Sequence, residues 1–253
     1  MDELVVHARL TLAWFALSAV TFLVLQFISA PYGKHIRDGW GPTIPNRLGW
    51  LVMETPPIVV FATLFAVGTH RDPAAFVFAT CFLVHYVYRG WVYPFRLQTD
   101  GKRMPLVVCA LAFFTNIVIG YLQARWLFTL GPERDASWLA DPRFVVGLGL
   151  FVFGFAVNHH SDAILRNLRR PGETGYKIPI GGGFRWVSSP HYLGEIIEWG
   201  GWALMTWSAP TAAFFAWTVS NLVPRAAENH RWYHERFGDA YPRERRRVVP
   251  WVY

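Results

Sequence analysis

The stretch NHHSDAILRNLRRPGETGYKIPIGGGFRWVSSPHYLGEIIE, residues 158–198, separates two long apolar segments. It holds 2 Asn, 1 Asp, 4 Arg, 1 Lys, 3 Glu and 2 Tyr. A connection between membrane helices needs only to be soluble, so this density of charged and hydrogen-bonding side chains predicts a functional site.

Two polar helical faces border this stretch. If the preceding helix continues to Leu168, steps of four, four and three residues place four side chains on one face. They are Asn158, Asp162, Arg166 and Arg169. The following helix begins with a polar stripe of period three, formed by Tyr192, Glu195 and Glu198. We therefore expect two ionisable faces that confront each other.

The apolar residues come in blocks of about 20, the length that crosses a bilayer core. With 53% hydrophobic residues among 253, the sequence predicts an all-α polytopic membrane protein with seven transmembrane helices in one bundle. The predicted spans are 5–29, 48–68, 74–95, 105–130, 142–166, 192–207 and 211–226. Since neither a repeat nor a second domain is evident, residues 1–253 are predicted to form a single membrane-embedded domain.

Basic residues set the predicted orientation of these spans. The connections after the first, third and fifth spans and the C-terminal tail share one side of the membrane, and they carry most of the Lys and Arg. The positive-inside rule makes this side cytosolic, which leaves Met1 outside and Tyr253 inside. The start MDELVVHARL is acidic and lacks a cleavage pattern, so it is interpreted as the first span.

Composition and spacing exclude several classes of function. The net charge of +7 comes from bases in short connections and the tail, not from a nucleic-acid motif. Cys81 and Cys109 lie in apolar blocks, and no HExxH or Cys-His spacing occurs, so no disulfide and no metal site is expected. Gly147 and Gly149 lie in a membrane helix, which excludes a Rossmann domain. No obligate protein partner is evident.

Residue usage also bears on the source of the chain. The 21 Arg against 3 Lys favour a GC-rich bacterial genome. The prediction is an integral protein of the bacterial inner membrane rather than of the endoplasmic reticulum.

Glu54 and Tyr86 are the candidate catalytic pair, because both are polar groups inside apolar blocks. An unpaired carboxylate at this depth costs several kcal/mol, so Glu54 is expected to be protonated or matched by a donor. A deep tyrosine hydroxyl, oriented by a carboxyl group, can donate a hydrogen bond to a carbonyl oxygen. The alternatives are a structural Glu54 beside the Pro56-Pro57 kink and a Tyr86 in the interfacial aromatic belt.

The bases and glycines of residues 158–198 predict a site for an anionic cofactor. Guanidinium forks and backbone N–H groups in a flexible 181–183 glycine turn both suit phosphates. In the tail, one helical face carries Arg225, Asn229, Tyr233 and Arg236. This face could close over a nucleotide, or it could be an amphipathic helix on anionic lipid.

The run from Asn158 to Pro210 strongly resembles the C-terminal signature of the steroid 5α-reductases, also called 3-oxo-5α-steroid 4-dehydrogenases. The resemblance extends through YGKH at 32–35, the Glu54 segment and HYVYR at 85–89, and includes the tail. A short PHYLGE alone is less specific, because it also looks like an element of isoprenylcysteine carboxyl methyltransferases. A bacterial homologue is the interpretation we favour.

The resemblance implies an NADPH-dependent reduction of the Δ4 double bond of 3-oxo-Δ4 steroids such as testosterone or progesterone. It implies that Glu54 and Tyr86 engage the 3-ketone, that residues 1–130 mainly form the steroid pocket, and that 142–253 mainly bind NADPH. The implied cofactor residues are Tyr32, Lys34, Asn158, Asp162, Arg169, Tyr176, Lys177, Glu195, Arg225 and Tyr233, with His191 and Asn229 at further matched positions.

Three matched positions depart from the family pattern. Lys177 stands for a family Arg, His191 for an Asn and Asn229 for a His. Lys keeps the charge but loses the bidentate fork. Two alternatives stay open from the sequence: an S-adenosylmethionine-dependent membrane methyltransferase, and a reductase of another enone lipid.

Overall fold

The structure is a computed structural model that describes residues 2–29, 31, 33–97, 101–169, 173 and 175–253. Tyr32, one of the implied cofactor residues, lies outside the described residues. The chain is mostly helical, as the sequence predicts. The helices are α1 (Glu3–Val24), α2 (Asn46–Val67), α3 (Pro73–Val87), α4 (Tyr93–Arg96), α5 (Leu106–Arg125), α6 (Pro142–Arg166), α7 (Pro190–Thr206) and α8 (Ala209–Phe237).

Among the described residues, five helical segments are long and apolar enough to cross a membrane. They are Glu3–Val24, Asn46–Val67, Pro73–Arg96, Leu106–Leu130 and Pro142–Arg166. Helix α7 has 17 residues, fewer than the roughly 20 that a perpendicular crossing needs. Helix α8 has 29 residues, and its second half is polar. The chain is thus a multi-pass membrane protein, whereas the seven-span count and the orientation of the termini stay predictions.

Two helices begin with the same Asp-Pro signal. Asp72 precedes Pro73, and its carboxylate accepts a hydrogen bond from the Ala75 amide at 2.9 Å. Asp141 precedes Pro142 and accepts from the Arg143 amide at 2.8 Å. A capping carboxylate satisfies an amide that has no partner within the helix, and proline fits the first helical position because it has no N–H to satisfy.

Helix α6 ends earlier than the predicted polar face requires. Its last residue is Arg166, so Arg169 does not lie on the helical face with Asn158 and Asp162, and that part of the prediction is wrong. In an α-helix that continued past Arg166, Pro171 would have no N–H to donate to the carbonyl of Asn167, and its ring would clash with that carbonyl, so the sequence disfavours such a continuation.

A short antiparallel pair of strands, which the all-α prediction did not include, joins two connections. Strand β1 (Thr43–Pro45) pairs with β2 (Arg103–Pro105), with Ile44 opposite Met104. Each strand leads directly into a helix, α2 or α5. The pair therefore fixes the start of α2 beside the start of α5, and α2 carries Glu54.

The residues group into two compact units. Unit 1 comprises Met1–Ala13, Ala30–Val145 and Thr206–Thr211. Unit 2 comprises Trp14–Ser29, Val146–Met205 and Ala212–Tyr253. The aromatic core of unit 1 includes Phe61, whose ring stacks on Phe82 with centroids 3.8 Å apart. The core of unit 2 includes Trp199 and Trp202, both of which are fully buried.

Candidate functional site

Glu54 in unit 1 lies against a glycine of the neighbouring helical segment. Beyond α3 the backbone continues as a π-helical turn, Tyr88–Val92. A Cβ on Gly90 of this turn would lie 3.0 Å from the carbonyl oxygen of Glu54 and 3.1 Å from its Cβ. Such π-helical turns occur frequently at functional sites. The absence of a side chain at Gly90 thus permits close packing on the backbone and Cβ of Glu54, the residue that carries the predicted catalytic carboxyl group.

Tyr86 lies one helical turn before Gly90 and is 5% exposed. Its ring contacts Phe82, at a centroid distance of 4.6 Å, and His85, at 5.0 Å. These surroundings place the phenol inside unit 1 rather than in an exposed aromatic belt. The hydrogen bond between Glu54 and Tyr86 stays a prediction.

Arg89 follows on the same segment and is packed between aromatic rings. Its guanidinium lies 4.7 Å from the ring centroid of Trp50 and 4.6 Å from that of Tyr93. Both contacts are cation–π interactions that stabilise a partly desolvated arginine. They hold the guanidinium of Arg89 within the apolar segment Pro73–Arg96.

An apolar groove of about 430 Å³ runs along α1, α2 and α5 within unit 1. Its volume lies in the range of small-molecule pockets. Of the described residues, those that line it are Leu10, Val59, Val60, Thr63, Leu64, Ile117, Val118 and Tyr121, so Glu54 and Tyr86 do not line it. Val59 is five residues beyond Glu54 along α2, which places the groove at a different level of the helix.

In unit 2, four glycines let α6 and α7 pack backbone to backbone. A Cβ on Gly154 would overlap the backbone of Glu198 and Gly194, and a Cβ on Gly194 would overlap the backbone of Asn158. Gly147 and Gly201 form the corresponding contact one heptad away. Small residues at such spacing permit close helix contacts in membranes. This packing brings the polar face of α6 directly onto α7.

Asn158 joins these two helices through its side-chain amide. Its Nδ2 donates to the carbonyl oxygen of His191 at 2.9 Å and lies 3.4 Å from a carboxylate oxygen of Glu195. Asp162, one turn further along α6, is 4% exposed. The structure therefore brings together Asn158, His191 and Glu195, which the sequence predicted for one cofactor site.

The predicted residues between α6 and α7 make mostly local contacts. The guanidinium of Arg169 donates to the carbonyl oxygen of Gly175 at 3.3 Å, and Lys177 pairs with Glu173. The ring of Tyr176 meets the edge of Trp232 of α8 at 4.8 Å, and burial raises the pKa of its hydroxyl. This ring contact packs Tyr176 against α8.

The glycine turn before α7 has backbone conformations that favour glycine. Gly181 and Gly182 have φ angles of 94° and 49°. A Cβ on Gly182 would also lie 2.9 Å from Nε2 of His160. The turn therefore lies close against the polar end of α6.

Helix α8 carries the predicted tail face, since Arg225, Asn229 and Tyr233 all lie within one helix. Nε of Arg225 donates to the hydroxyl of Tyr192 at 3.3 Å. The amide of Asn229 lies 3.3 Å from the hydroxyl of Ser189. These contacts join the predicted residues of α8 to the start of α7.

The sequence reasoning missed Arg245, which lies in the basic run RERRR at 243–247. The residue is 5% exposed, and its guanidinium lies 5.2 Å from the ring of Tyr241. Tyr241 stacks on Tyr233 with centroids 5.1 Å apart and planes 2° from parallel. Within the residues that the structure describes, buried Nε and Nη1 of Arg245 have no hydrogen-bond partner. No spacing signal distinguishes Arg245 from its exposed neighbours.

A backbone contact accounts for the burial of Arg245. The amide of Ser188 donates to the carbonyl oxygen of Arg246 at 2.8 Å, and the amide of Arg246 donates to the carbonyl oxygen of Trp186 at 2.8 Å. The segment after α8 is therefore held beside the segment that precedes α7. Buried guanidinium nitrogens in this position fit an anionic group of a ligand.

The predicted site residues fall in both units. Lys34 lies in the 3₁₀ turn Gly33–His35 of unit 1 and is half-buried. Glu54 and Tyr86 also belong to unit 1, whereas the predicted cofactor residues from Asn158 onward belong to unit 2. Each unit thus carries its own set of candidate groups.

Comparison with known proteins gives consistent matches. The family model described as 3-oxo-5-alpha-steroid 4-dehydrogenase matches residues 102–253. The chain is 43% identical to the steroid 5-alpha-reductase DET2 of Gossypium hirsutum, over 100% of this chain and 99% of the relative. It is 42% identical to the 3-oxo-5-alpha-steroid 4-dehydrogenase 1 of Bos taurus, over 94% and 93% of the two chains. The protein of the same name from Homo sapiens is 40% identical, over 94% and 92%.

Proposed function

The chain belongs to the 3-oxo-5-alpha-steroid 4-dehydrogenase family, and from this membership we infer that it is an oxidoreductase that reduces the Δ4 double bond of 3-oxo-Δ4 steroids. The product is the 5α-reduced 3-oxo steroid. The observation that supports this proposal most is the full-length identity to relatives of that name, together with a carboxyl group and a buried phenol on adjoining segments of unit 1.

Glu54 and Tyr86 act on the substrate ketone in this proposal. Addition of hydride at C5 places negative charge on the 3-oxygen of the steroid. A hydrogen bond from the Tyr86 hydroxyl stabilises this charge, and it does so more strongly in a site that excludes water. Glu54 orients the phenol. Protonation at C4 then completes the reduction.

A nicotinamide dinucleotide fits the polar groups of unit 2. Its phosphates and ribose need cationic and amide donors, and unit 2 offers Arg225, Arg245 and the amide of Asn158. Arg245 supports this fit most directly, because a buried arginine is costly unless an anion pairs with it. When bound, the reduced nicotinamide supplies the hydride.

We assign NADPH rather than NADH as the cofactor. NADPH carries one phosphate more than NADH. The many Arg side chains in residues 158–198 and in the tail suit this additional negative charge. Tyr32 and Lys34 are proposed to contribute from the connection after α1. Asp162, Arg169, Tyr176, Lys177, His191, Glu195, Asn229 and Tyr233 complete the proposed set.

The experiment that tests the proposal uses purified full-length protein in detergent or lipid nanodiscs. The protein is incubated with NADPH or NADH and a panel of enones that includes testosterone, progesterone and a non-steroid enone lipid. We expect NADPH oxidation and a steroid product heavier by two hydrogens, identified by mass spectrometry. Turnover only with the non-steroid enone would contradict the steroid assignment, and turnover with NADH alone would contradict the assigned cofactor.

Variants connect this activity to the residues. Glu54→Gln and Tyr86→Phe are expected to lower kcat while nucleotide binding is retained, because both residues act on the ketone. A Tyr86→Phe protein with wild-type turnover would remove the role assigned to that hydroxyl.

A further inference from the structure

Two prolines in α2 remove hydrogen bonds next to Glu54. Pro56 and Pro57 lie inside the helix, and neither has a backbone N–H to donate to the carbonyl four residues earlier. For Pro57 that carbonyl belongs to Met53, the residue directly before Glu54. A carbonyl at membrane depth requires another donor.

Asn116 of α5 supplies this donor. Its Nδ2 donates to the carbonyl oxygen of Met53 at 2.7 Å. The same nitrogen lies 3.5 Å from a carboxylate oxygen of Glu54. The first contact is a short hydrogen bond; the second is at the limit of one. Hydrogen bonds around a reacting group are often long in unliganded protein and shorten when substrate is bound.

Glu54 is bounded on a second side by Gly90. A Cβ on Gly90 would lie 3.0 Å and 3.1 Å from two atoms of Glu54, which is tighter than ordinary van der Waals contact, so Glu54 packs closely on the π-helical turn. Two segments, α5 and the turn after α3, therefore restrict the position of Glu54. Of these two contacts, the one with the amide of Asn116 is polar.

We propose that Asn116 is a positioning residue, which holds the carboxyl group of Glu54 at the position where it orients Tyr86. This inference depends on the catalytic role of Glu54 in the proposed function. The Met53 hydrogen bond fixes the amide of Asn116, and the fixed amide offers its other N–H to the carboxyl group. An asparagine donor serves here because it carries two N–H groups and no charge.

A double-mutant cycle tests this role in the full-length protein with NADPH and a 3-oxo-Δ4 steroid. The four proteins are wild type, Asn116→Ala, Glu54→Gln and the double variant. We expect Asn116→Ala to lower kcat about tenfold or more with the Kd for NADPH unchanged, since small misplacements of a catalytic group have large effects on rate. If Asn116 acts through Glu54, adding Asn116→Ala to Glu54→Gln lowers kcat by no more than about twofold.

Two further variants separate positioning from simple stabilisation. Pro57→Ala restores a backbone donor to Met53, so the Asn116→Ala/Pro57→Ala protein regains thermal stability but should keep the low kcat of Asn116→Ala. Asn221 is the matched control, because its Nδ2 also donates to a backbone carbonyl, that of Trp217, at 2.8 Å. Asn221→Ala is expected to lower thermal stability and leave kcat unchanged.

The outcomes distinguish this inference from the proposed function. If Glu54→Gln lowers kcat but the effect of Asn116→Ala multiplies with it, Asn116 acts elsewhere and the positioning role is overturned. Recovery of kcat in Asn116→Ala/Pro57→Ala would also overturn it, because only the Met53 carbonyl would then matter. Wild-type kcat in Glu54→Gln would overturn the role of Glu54 itself, and with it that of Asn116.

Discussion

The side chain of Arg245 illustrates how the sequence context of a residue can conceal its burial. It belongs to a run of four arginines and one glutamate, a composition typical of a solvated tail. The tail is nevertheless held beside the segment before α7 through the paired backbones of Ser188 and Arg246, which buries Arg245 near Tyr233. Sequence indicates the charge of such a residue, and only the fold indicates its burial.

Replacement of Arg245 should therefore affect cofactor binding more than folding. We expect Arg245→Leu to raise the Kd for NADPH at least about tenfold, or about 1.4 kcal/mol, because it removes a buried cation from the phosphates. Thermal stability without nucleotide should be unchanged or higher, since an apolar side chain suits this buried position. The measurements are calorimetric nucleotide binding and thermal unfolding.

Arg243→Leu is the control for this prediction. The side chain of Arg243 is 80% exposed and pairs with Asp239. Its replacement should change the Kd by less than about twofold, as expected for an exposed pair. Equal effects at 243 and 245 would mean that tail charge, not a specific contact, attracts the nucleotide.

His230 gives a prediction for pH dependence. It lies in α8 beyond the last predicted span, and its Nδ1 is 2.6 Å from the hydroxyl of Ser188, which also accepts from Tyr241 at 2.7 Å. Burial, together with the electrostatic effects of His234, Arg247 and Arg246, lowers the pKa of His230 to about 4. The folded protein then binds fewer protons than the unfolded chain between about pH 4 and pH 6.5.

The free energy of unfolding should consequently fall as the pH is lowered from about 6.5 to about 4, and this contribution should be fully present above about pH 6.5. Apparent unfolding temperatures of wild type and His230→Asn, measured across this range, check the sign. The variant should lose less stability at low pH, because Asn places an amide near Ser188 without titrating. Parallel pH profiles for the two proteins would assign the acid sensitivity to other groups.

At the scale of elements, the contact between α6 and α7 decides where the polar groups of unit 2 lie. The span predicted at 142–166 has the bounds of α6, because a long apolar block follows Pro142, and the structure adds the capping carboxylate of Asp141. The seventh predicted span ends at residue 226, since the apolar pattern stops there, and the helical face predicted for the tail lies on the same helix, which continues to Phe237. The sequence placed both Gly147 and Gly149 in a membrane helix. In the structure Gly147 contacts the backbone of α7, whereas a Cβ on Gly149 would have nothing within 4 Å. Period and hydropathy do not reveal which glycine faces a neighbouring backbone.

The glycine contacts yield a matched pair of substitutions in α6. Gly154→Ala introduces a Cβ that overlaps the backbone of Glu198, so α6 and α7 must separate. We expect a loss of about 1–3 kcal/mol in stability and weaker nucleotide binding, because Asn158 moves away from His191. Thermal unfolding and nucleotide titration measure the two effects.

Gly149→Ala is the control on the same helix. A Cβ at this position has nothing within 4 Å. The variant should be as stable as wild type or up to about 1 kcal/mol more stable, since alanine favours a helix over glycine. A Gly154→Ala protein that behaves like Gly149→Ala would show that the close packing is not required.

At the scale of the whole molecule, the sequence predicted the membrane class and the family, because both depend on long apolar blocks and on an ordered set of motifs. The number of crossings depends on α7 and α8. Helix α7 is short and α8 is amphipathic, so hydropathy alone does not decide whether they cross the membrane. The relatives reported above come from a plant and two mammals, and a bacterial inner membrane stays a prediction.

The seven-span topology predicts that the connection between α7 and α8 lies outside and the tail inside. In a protein with Cys81 and Cys109 replaced by Ser, a new cysteine is introduced at the exposed Ala209 or at the exposed Arg243. An impermeant thiol reagent should label Ala209→Cys in intact cells or spheroplasts, and Arg243→Cys only after permeabilisation. If both cysteines are labelled only after permeabilisation, the seven-span topology is wrong. The chain would then cross the membrane five times, and its C-terminal part would be cytosolic.

The central claim is that this chain reduces the Δ4 bond of a steroid with hydride from NADPH, and isotope transfer tests it most directly. The purified protein is incubated with a 3-oxo-Δ4 steroid and NADPH that carries deuterium at the transferred position of the nicotinamide. We predict one deuterium at C5 of a 5α-reduced product, located by NMR and mass spectrometry, and little of it when Glu54→Gln replaces the wild type. An unreduced steroid, or a reduced product without deuterium at C5, would contradict the account.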